Sequence, residues 1–253
     1  MPKTRLDLLM VERQMAESRS LAGALVMAGK VLVNGQVEHR PGAQILPDAL
    51  LEMKESPRFV SRGGEKLEAA LQSFPVTVEG RTCADVGAST GGFTDCLLQH
   101  GARRVIAIDV GKGLLHYKLR RDPRLVIMEE TNARHLASLP EQVSLVTIDA
   151  SFISLKILLP VVRGWLESAG GDVLALVKPQ FEAGRQAAGR GKGVIRDPQI
   201  QQEVVAEVLS FAETLGFKVN GKLASPVLGP KGNVEYLAWL QVAPGSTPRA
   251  APA

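Results

Sequence analysis

Residues 83–94, CADVGASTGGFT, contain the pattern that decides the fold of this chain. The apolar run that ends at Val86 has the length of a buried strand, and the residues from Phe93 onward have helical spacing. Between them, Gly87, Gly91 and Gly92 let the backbone turn sharply and approach a ligand closely, because glycine lacks a Cβ atom. This order of strand, turn and helix brings backbone N–H groups and the positive end of a helix dipole to one point, which favours a bound ligand.

Short apolar runs of strand length recur on both sides of this turn and are separated by stretches with helical spacing. The runs are residues 82–86, 104–109, 125–128, 145–149 and 173–177. Apolar and β-branched residues throughout such runs are typical of a parallel sheet that is covered on both faces. We therefore predict an α/β fold, a Rossmann-like sheet with helices on both faces, closed at its edge by a strand from Val219 and another over residues 234–242.

The first 53 residues have a different pattern. Two stretches of helical spacing come first, with Ser18 as the expected N-cap of the second, and Val31 and Val33 at strand spacing lead into a turn at Asn34–Gly35. This order predicts a small α+β domain of helix, helix and hairpin over residues 1–53. We expect an interdomain linker over residues 54–62, an α/β domain over 63–243 and a disordered tail over 244–253.

A carboxylate lies at an informative distance from the glycine-rich turn. Asp109 follows the next apolar run, 22 positions after Gly87 (109 minus 87), and an acid about 20 residues after such a turn can accept hydrogen bonds from both hydroxyls of a ribose. The turn lacks the GxGxxG spacing of dinucleotide-binding enzymes, which weakens the case for hydride transfer. A nucleoside such as S-adenosylmethionine fits, and an ordinary βα turn beside a solvated acid is the alternative.

Charged side chains occur where strands of the predicted sheet end. Asp149 and Lys178 each follow an apolar run directly, and Glu235 lies near the start of the last strand. A lysine in such a position is costly to bury without a carboxylate partner, which Asp149 or Glu235 can supply. Joined by Lys66, this cluster can orient an alcohol for attack on a sulfonium methyl group. The alternative is a network of ion pairs that only ties strand ends together.

Several longer motifs follow one another along the chain. They are RLD from Arg5, SRS from Ser18, GKVLVNG from Gly29, VSRGGEKL from Val60, DVGASTGGFT from Asp85, DASFIS from Asp149 and KPQFE from Lys178. Together they resemble the haemolysin A (TlyA) family, in which an S4 RNA-binding domain is joined to an FtsJ-like ribosomal RNA 2′-O-methyltransferase domain. The resemblance covers residues 3–242 of the chain.

The resemblance implies a class I methyltransferase fold that uses S-adenosylmethionine to methylate a ribose of ribosomal RNA, with cytidine as the expected nucleoside. It implies a catalytic tetrad, with Lys178 beside the ribose 2′-hydroxyl. The tetrad falls on Lys66, Asp149, Lys178 and Glu235. The residues expected to bind the cofactor are Asp85, Gly87, Ser89, Gly91, Gly92, Phe93, Asp109 and Asn132.

The resemblance also implies that the chain docks on folded RNA through basic side chains, which contact phosphates without reading bases. The expected RNA contacts are Lys3, Arg5, Arg19, Lys30, Arg62, Arg185, Arg190 and Lys192. The last three belong to a glycine-rich basic stretch, residues 184–196, for which a solvated, flexible loop is the alternative. The expected partner is ribosomal RNA or a ribosomal subunit, and the sequence gives no prediction of oligomeric state.

Composition limits the other classes of function. The net charge of +4 mildly favours a polyanionic partner, and the two cysteines form no CxxC pair. We expect a reducing cytoplasm, no disulfide framework and no metal, since the four histidines also lack metal-ligand spacing. No apolar run approaches the ~20 residues that cross a bilayer, so we expect no membrane role. Two alternatives stay open: an RNA-binding assembly factor without turnover, and a membrane-active haemolysin.

Overall fold

The computed structural model describes residues 2–54, 57–166, 170–183 and 193–245. It divides the chain into two compact units, one from Met1 to Arg58 and one from Phe59 to Ala253. This division falls within the stretch predicted as a linker. Phe59, the first residue of the second unit, is already buried in that unit's hydrophobic core. Most of the predicted tail lies outside the described residues.

The first unit has the predicted order of two helices and a hairpin. Its described elements are β1 (Thr4–Arg5), α1 (Leu6–Glu12), α2 (Arg19–Met27), β2 (Val31–Val33), β3 (Gln36–Val37), β4 (Gln44–Ile45) and β5 (Leu51–Met53). The Ser18 hydroxyl caps α2 by accepting a hydrogen bond from the Leu21 amide at 3.2 Å, as its position predicts. Asn34 and Gly35 both have positive φ angles, 50° and 78°, which closes the tight turn between β2 and β3.

The second unit is built on a seven-stranded sheet. Its strands are β6 (Thr82–Val86), β7 (Arg104–Ile108), β8 (Leu125–Met128), β9 (Leu145–Ile148), β10 (Gly171–Val177), β11 (Lys218–Ala224) and β12 (Tyr236–Val242). The spatial order is β11-β12-β10-β9-β6-β7-β8. The strands β6 to β10 run parallel to one another, as predicted, whereas β12 is antiparallel to both β10 and β11. The sheet is therefore mixed rather than parallel throughout.

Helices cover both faces of this sheet. They are α3 (Gly63–Ser73), α4 (Gly92–Gln99), α5 (Leu155–Trp165), α6 (Pro179–Glu182) and α7 (Pro198–Thr214). Alternate residues of a strand point to opposite faces, and in β10 Val173 packs in the cluster that includes α5 and α7 while Leu174 packs in the cluster that includes α3 and α4. This two-sided burial is why the strands read as continuous apolar runs. Among the described residues, no helix combines the length and the apolar character that crossing a membrane requires.

The centre of the sheet contains a buried acid. Asp85 in β6 is fully buried, and its carboxylate accepts hydrogen bonds from the hydroxyls of Thr94 at 2.6 Å and Thr147 at 3.0 Å. Burial nevertheless raises the pKa of Asp85 from 3.8 to about 6. The folded state therefore binds this proton more tightly than the unfolded chain does. The stability that the proton contributes is complete below pH about 4 and is lost as the pH rises through about 6.

We predict that Asp85→Asn removes this pH dependence. As the pH rises from 5 to 7.5, Asp85 ionises in the wild type and destabilises it, whereas the variant has no such group. The difference in free energy of unfolding, variant minus wild type, should therefore increase by about 1 kcal/mol. Urea denaturation at both pH values measures the difference. An unchanged difference between the two proteins would contradict a raised pKa at this position.

Candidate active site

The turn after β6 has the conformation that its glycines predict. Gly87 and Gly91 have φ angles of +83° and +96°, which other residues rarely adopt. A Cβ atom at Gly87 would lie 2.7 Å from the carbonyl oxygen of Asp149, and one at Gly91 would lie 2.3 Å from the Leu119 side chain. Glycine is thus required both by backbone conformation and by the close packing of the turn against its neighbours.

Two adjoining cavities open where the parallel strands end. The first, which we call the lysine cavity, has a volume of about 330 Å³ and is lined by Lys66, Lys178 and Glu235 among others. The second, the Asp109 cavity, has a volume of about 620 Å³ and is lined by Asp109 and Asn132 among others. The residues that line both cavities are Gly87, Ser89, Asp149 and Ser151. These shared residues define the junction, where groups bound in the two cavities can meet.

The Asp109 carboxylate is held in place by the backbone. One oxygen accepts a hydrogen bond from the Ser89 amide at 2.8 Å, and the other accepts one from the Gly111 amide at 2.7 Å. Each carboxylate oxygen has a further lone pair, so both can accept an additional hydrogen bond from a ligand. The apolar side chains of Val110 and Leu114 line the same cavity. This arrangement suits a ribose diol attached to a planar base.

The lysine cavity contains two ion pairs. The ammonium of Lys178 lies 2.6 Å from Asp149 Oδ1 and donates a hydrogen bond to Ser151 Oγ at 2.9 Å. The ammonium of Lys66 donates to Glu235 Oε2 at 2.6 Å. The side chains of Lys178, Lys66 and Glu235 are only 8%, 10% and 0% exposed. The expectation that a carboxylate pairs with Lys178 is confirmed for Asp149, whereas Glu235 pairs with Lys66 instead.

A model of FtsJ-like methyltransferases matches residues 59–242, and a model of the S4 domain matches residues 4–51. The 16S/23S rRNA (cytidine-2′-O)-methyltransferase TlyA of Mycobacterium tuberculosis is 46% identical over 243 residues, which cover 94% of this chain and 90% of that protein. The chain belongs to the TlyA family of FtsJ-like methyltransferases. The predicted family, fold class and enzyme class are thereby confirmed.

Two further comparisons agree with membership of this family. A Bacillus subtilis relative, YqxC, which is named as a candidate rRNA methyltransferase, is 47% identical over 245 residues, covering 94% of this chain and 85% of that protein. A solved structure from Streptococcus thermophilus, described as a candidate hemolysin, is 43% identical with a TM-score of 0.73, covering 99% of this chain and 92% of that one.

The cofactor of this TlyA-family methyltransferase is S-adenosylmethionine, and the site fits it. Asp109, with a free lone pair on each fixed carboxylate oxygen, can hold the ribose diol, and Val110 and Leu114 can contact the base. When bound, the cofactor supplies an electrophilic methyl group on a sulfonium sulfur. That methyl group would reach the lysine cavity through the junction of the two cavities.

The other residues predicted to bind the cofactor do not all line the Asp109 cavity. Gly92 and Phe93 line the lysine cavity. Asn132 lines the Asp109 cavity, and its side chain accepts a hydrogen bond from the Arg134 amide at 3.2 Å. Asp85 is among the lining residues of neither cavity, because it is buried below the turn and bonded to two hydroxyls. We assign Asp85 a structural role beneath the turn of residues 87–91, which we call the cofactor turn.

Three residues that shape the lysine cavity were not predicted. Ser151 bonds to Lys178, and the Gln180 amide lies 3.5 Å from Glu235 Oε1. Both belong to motifs quoted above, two residues after Asp149 and two after Lys178. Gly229 lies against Glu235 so closely that a Cβ atom there would be 2.1 Å from Oε1. No sequence spacing relates Gly229 to its partner.

The residues predicted to contact RNA belong to both units of the chain. Arg62 lines the lysine cavity. In the first unit, Arg5 and Arg19 both pair with Asp7, at 2.8 Å and 3.0 Å, and keep 40% and 58% of their side chains exposed. Lys3 is exposed and Lys30 is half-buried. Arg185, Arg190 and Lys192 lie outside the described residues.

We predict that Gly229→Ala lowers the rate of methyl transfer at least about tenfold, which corresponds to about 1.4 kcal/mol. Gly229 has an ordinary φ of −70°, so the effect comes from the added methyl group, which displaces Glu235 from Lys66. Single-turnover rates at saturating cofactor measure the loss. Gly164→Ala in α5, where a Cβ atom would meet nothing within 4 Å, is the matched control and should keep full activity. Equal rates for both variants would show that the position of Glu235 is unimportant.

We predict that Asp109→Asn weakens the affinity for S-adenosylmethionine by about 10- to 100-fold, because one charge-assisted acceptor of the ribose diol is replaced by a donor. Isothermal titration calorimetry measures the affinity. The control is Glu130→Gln, which changes an exposed acid that pairs with Lys112 at 2.8 Å and should leave the affinity unchanged. Wild-type affinity in Asp109→Asn would place the nucleoside elsewhere.

Proposed function

We propose that this chain transfers the methyl group of S-adenosylmethionine to the 2′-oxygen of a ribose in ribosomal RNA, with cytidine as the nucleoside, in the cytoplasm. The single observation that carries this proposal is that two buried lysines, each paired with a carboxylate, line the cavity that adjoins the Asp109 cavity. The activity named for the Mycobacterium tuberculosis relative supports the choice of ribosomal RNA, ribose and cytidine.

The lysine cavity suits an oxygen nucleophile. Lys178 is held by Asp149 and Ser151, so its ammonium can orient a hydroxyl oxygen toward the junction by donating a hydrogen bond. With S-adenosylmethionine bound, this oxygen would form its bond to the methyl carbon as the carbon–sulfur bond breaks, the sulfur would leave as a neutral thioether, and the hydroxyl proton would be released. Asp149, which lies at the junction, is available to accept that proton. The pair of Lys66 and Glu235 lines the same cavity.

An exposed aromatic ring marks where the base of the target nucleotide can bind. Phe152 is 91% exposed and has a left-handed φ of +64°, an unfavourable combination for a bulky residue that serves only packing. Phe152 lines the Asp109 cavity, and its ring centroid lies 4.9 Å from that of Phe181, which lines the lysine cavity. Proteins that hold single-stranded RNA stack unpaired bases on such rings. Phe152 is therefore suited to receive the base whose ribose enters the lysine cavity.

The first unit is suited to positioning the RNA. The S4 domain match covers residues 4–51, and the exposed guanidinium groups of Arg5 and Arg19 lie side by side on Asp7. One carboxylate offsets two cations, which leaves a net positive charge for phosphate contacts. In this proposal the first unit docks on folded RNA, together with Lys3 and Lys30, and the second unit carries out the chemistry.

The proposal is tested by transfer of a labelled methyl group to ribosomal subunits that lack the modification, followed by digestion to nucleosides. Wild-type protein should label the ribose of cytidine, and Lys178→Met should lower the rate at least about 100-fold. Lys218→Met in β11 replaces an exposed lysine outside both cavities and should keep full activity. Label on a base contradicts the ribose assignment. Absence of label despite binding of cofactor and RNA favours an assembly factor without turnover.

We predict that Phe152→Leu lowers kcat/KM for the RNA by about 5- to 100-fold, because stacking on an aromatic ring contributes about 1–3 kcal/mol per base. Phe152→Tyr keeps the ring and should retain most of the activity, which separates stacking from packing. Steady-state kinetics with varied ribosomal subunits provide the measurement. Equal kcat/KM for the leucine variant and the wild type would exclude Phe152 from the RNA interface.

A further inference from the structure

A cluster of three potential metal ligands lies between α3 and α4 and includes no residue that lines the two cavities. Cys96 and His100 are four residues apart along α4 and its C-terminal cap, so their side chains lie on the same face. Glu68 faces them from α3. Its Oε2 lies 2.6 Å from His100 Nε2 and 3.8 Å from Cys96 Sγ. One ligand atom from each of the three residues lies within 4.8 Å of the other two.

We propose that Glu68, Cys96 and His100 bind a zinc ion, with a water molecule in the fourth position. Typical bond lengths are ~2.0–2.1 Å for zinc to imidazole nitrogen, ~2.0–2.2 Å to carboxylate oxygen and ~2.3 Å to thiolate sulfur. Tetrahedral coordination then separates the nitrogen and oxygen by about 3.4 Å and the sulfur and oxygen by about 3.6 Å. The observed separations are 2.6 Å and 3.8 Å. Entry of the ion therefore requires the contact between Glu68 and His100 to open by less than 1 Å.

The chemistry of these ligands selects zinc over the abundant hard cations. A thiolate and an imidazole are soft or borderline ligands that suit Zn²⁺, whereas Mg²⁺ and Ca²⁺ require oxygen ligands. Cys96 is fully buried, while the side chains of His100 and Glu68 keep 32% and 13% of their surface exposed. The ion would thus have the thiolate on its inner side and the other two ligands on its outer side, next to solvent.

The position of the cluster suggests a structural ion. Glu68 follows Lys66 by two residues on α3, and α4 begins directly after the cofactor turn. An ion bound by all three residues would therefore link α3, which contributes Lys66, to α4, which follows the cofactor turn. Its binding energy would be added to the stability of the folded protein. The site itself is distinct from the reacting atoms, so the ion would take no part in methyl transfer.

Titration of the full-length protein, free of any histidine tag, with Co²⁺ tests this proposal, because tetrahedral Co²⁺ reports its ligands in its absorption spectrum. We expect a thiolate-to-cobalt charge-transfer band in the near ultraviolet that one equivalent of Zn²⁺ abolishes. Cys83→Ser, which changes the other buried cysteine, should retain the band, and Cys96→Ser should lose it. His100 keeps 32% of its side-chain surface exposed, so His100→Gln should still fold, and it should weaken Co²⁺ affinity at least about tenfold.

Zn²⁺ should also raise the melting temperature of the wild type but not that of His100→Gln, and this comparison remains decisive even if Cys96→Ser fails to fold. Absence of a charge-transfer band in the wild type would overturn the proposal. An equal band in Cys96→Ser would do the same, as would unchanged metal affinity in His100→Gln. In each case Glu68 and His100 would form only a hydrogen-bonded pair beside a buried thiol.

Discussion

A buried lysine needs a carboxylate partner, and the second unit depends on two such pairs. Removal of one member leaves the other charge buried and unpaired, which costs about 3–5 kcal/mol. The pair between Lys66 and Glu235 joins residues 169 positions apart, and thereby connects α3, near the start of the unit, to the segment before β12. The pair between Lys178 and Asp149 fixes the ends of β10 and β9. The two ion pairs that hold these segments together therefore also place four charged groups around the lysine cavity.

The residues that bind the cofactor and those that orient the nucleophile come from different strands. Asp109 follows β7, whereas Asp149 and Lys178 follow β9 and β10. Only the four shared lining residues belong to both cavities. Substitutions deep in either cavity should therefore separate cofactor affinity from the rate of transfer, whereas those at the junction should affect both. The turn after β6 contributes residues to both cavities, and its glycines tolerate little added volume because the turn packs closely against its neighbours.

The sequence predicted the strands well because strands buried on both faces must be apolar throughout, and the parallel strands β6 to β10 match those runs closely. It did not predict the antiparallel pairing of β12, since hydrophobic patterning is the same for both directions. The family resemblance implied the four residues of the tetrad, whose catalytic roles stay predictions, but not that Glu235 pairs with Lys66, because the partner of a charge depends on distances in space. The proposed zinc ligands have no signal in the sequence for a related reason: Cys96 and His100 are one helical turn apart, but Glu68 joins them only through helix packing. The left-handed backbone of Phe152 has no signal in the sequence either.

The most direct test of the central claim is the structure of this chain bound to a ribosomal subunit and to an S-adenosylmethionine analogue that lacks a transferable methyl group. The account predicts a cytidine whose ribose 2′-oxygen lies within hydrogen-bond distance of Lys178 Nζ, with the ribose diol of the analogue on Asp109. A base atom of the RNA beside Lys178, or RNA that leaves the lysine cavity empty, would contradict it.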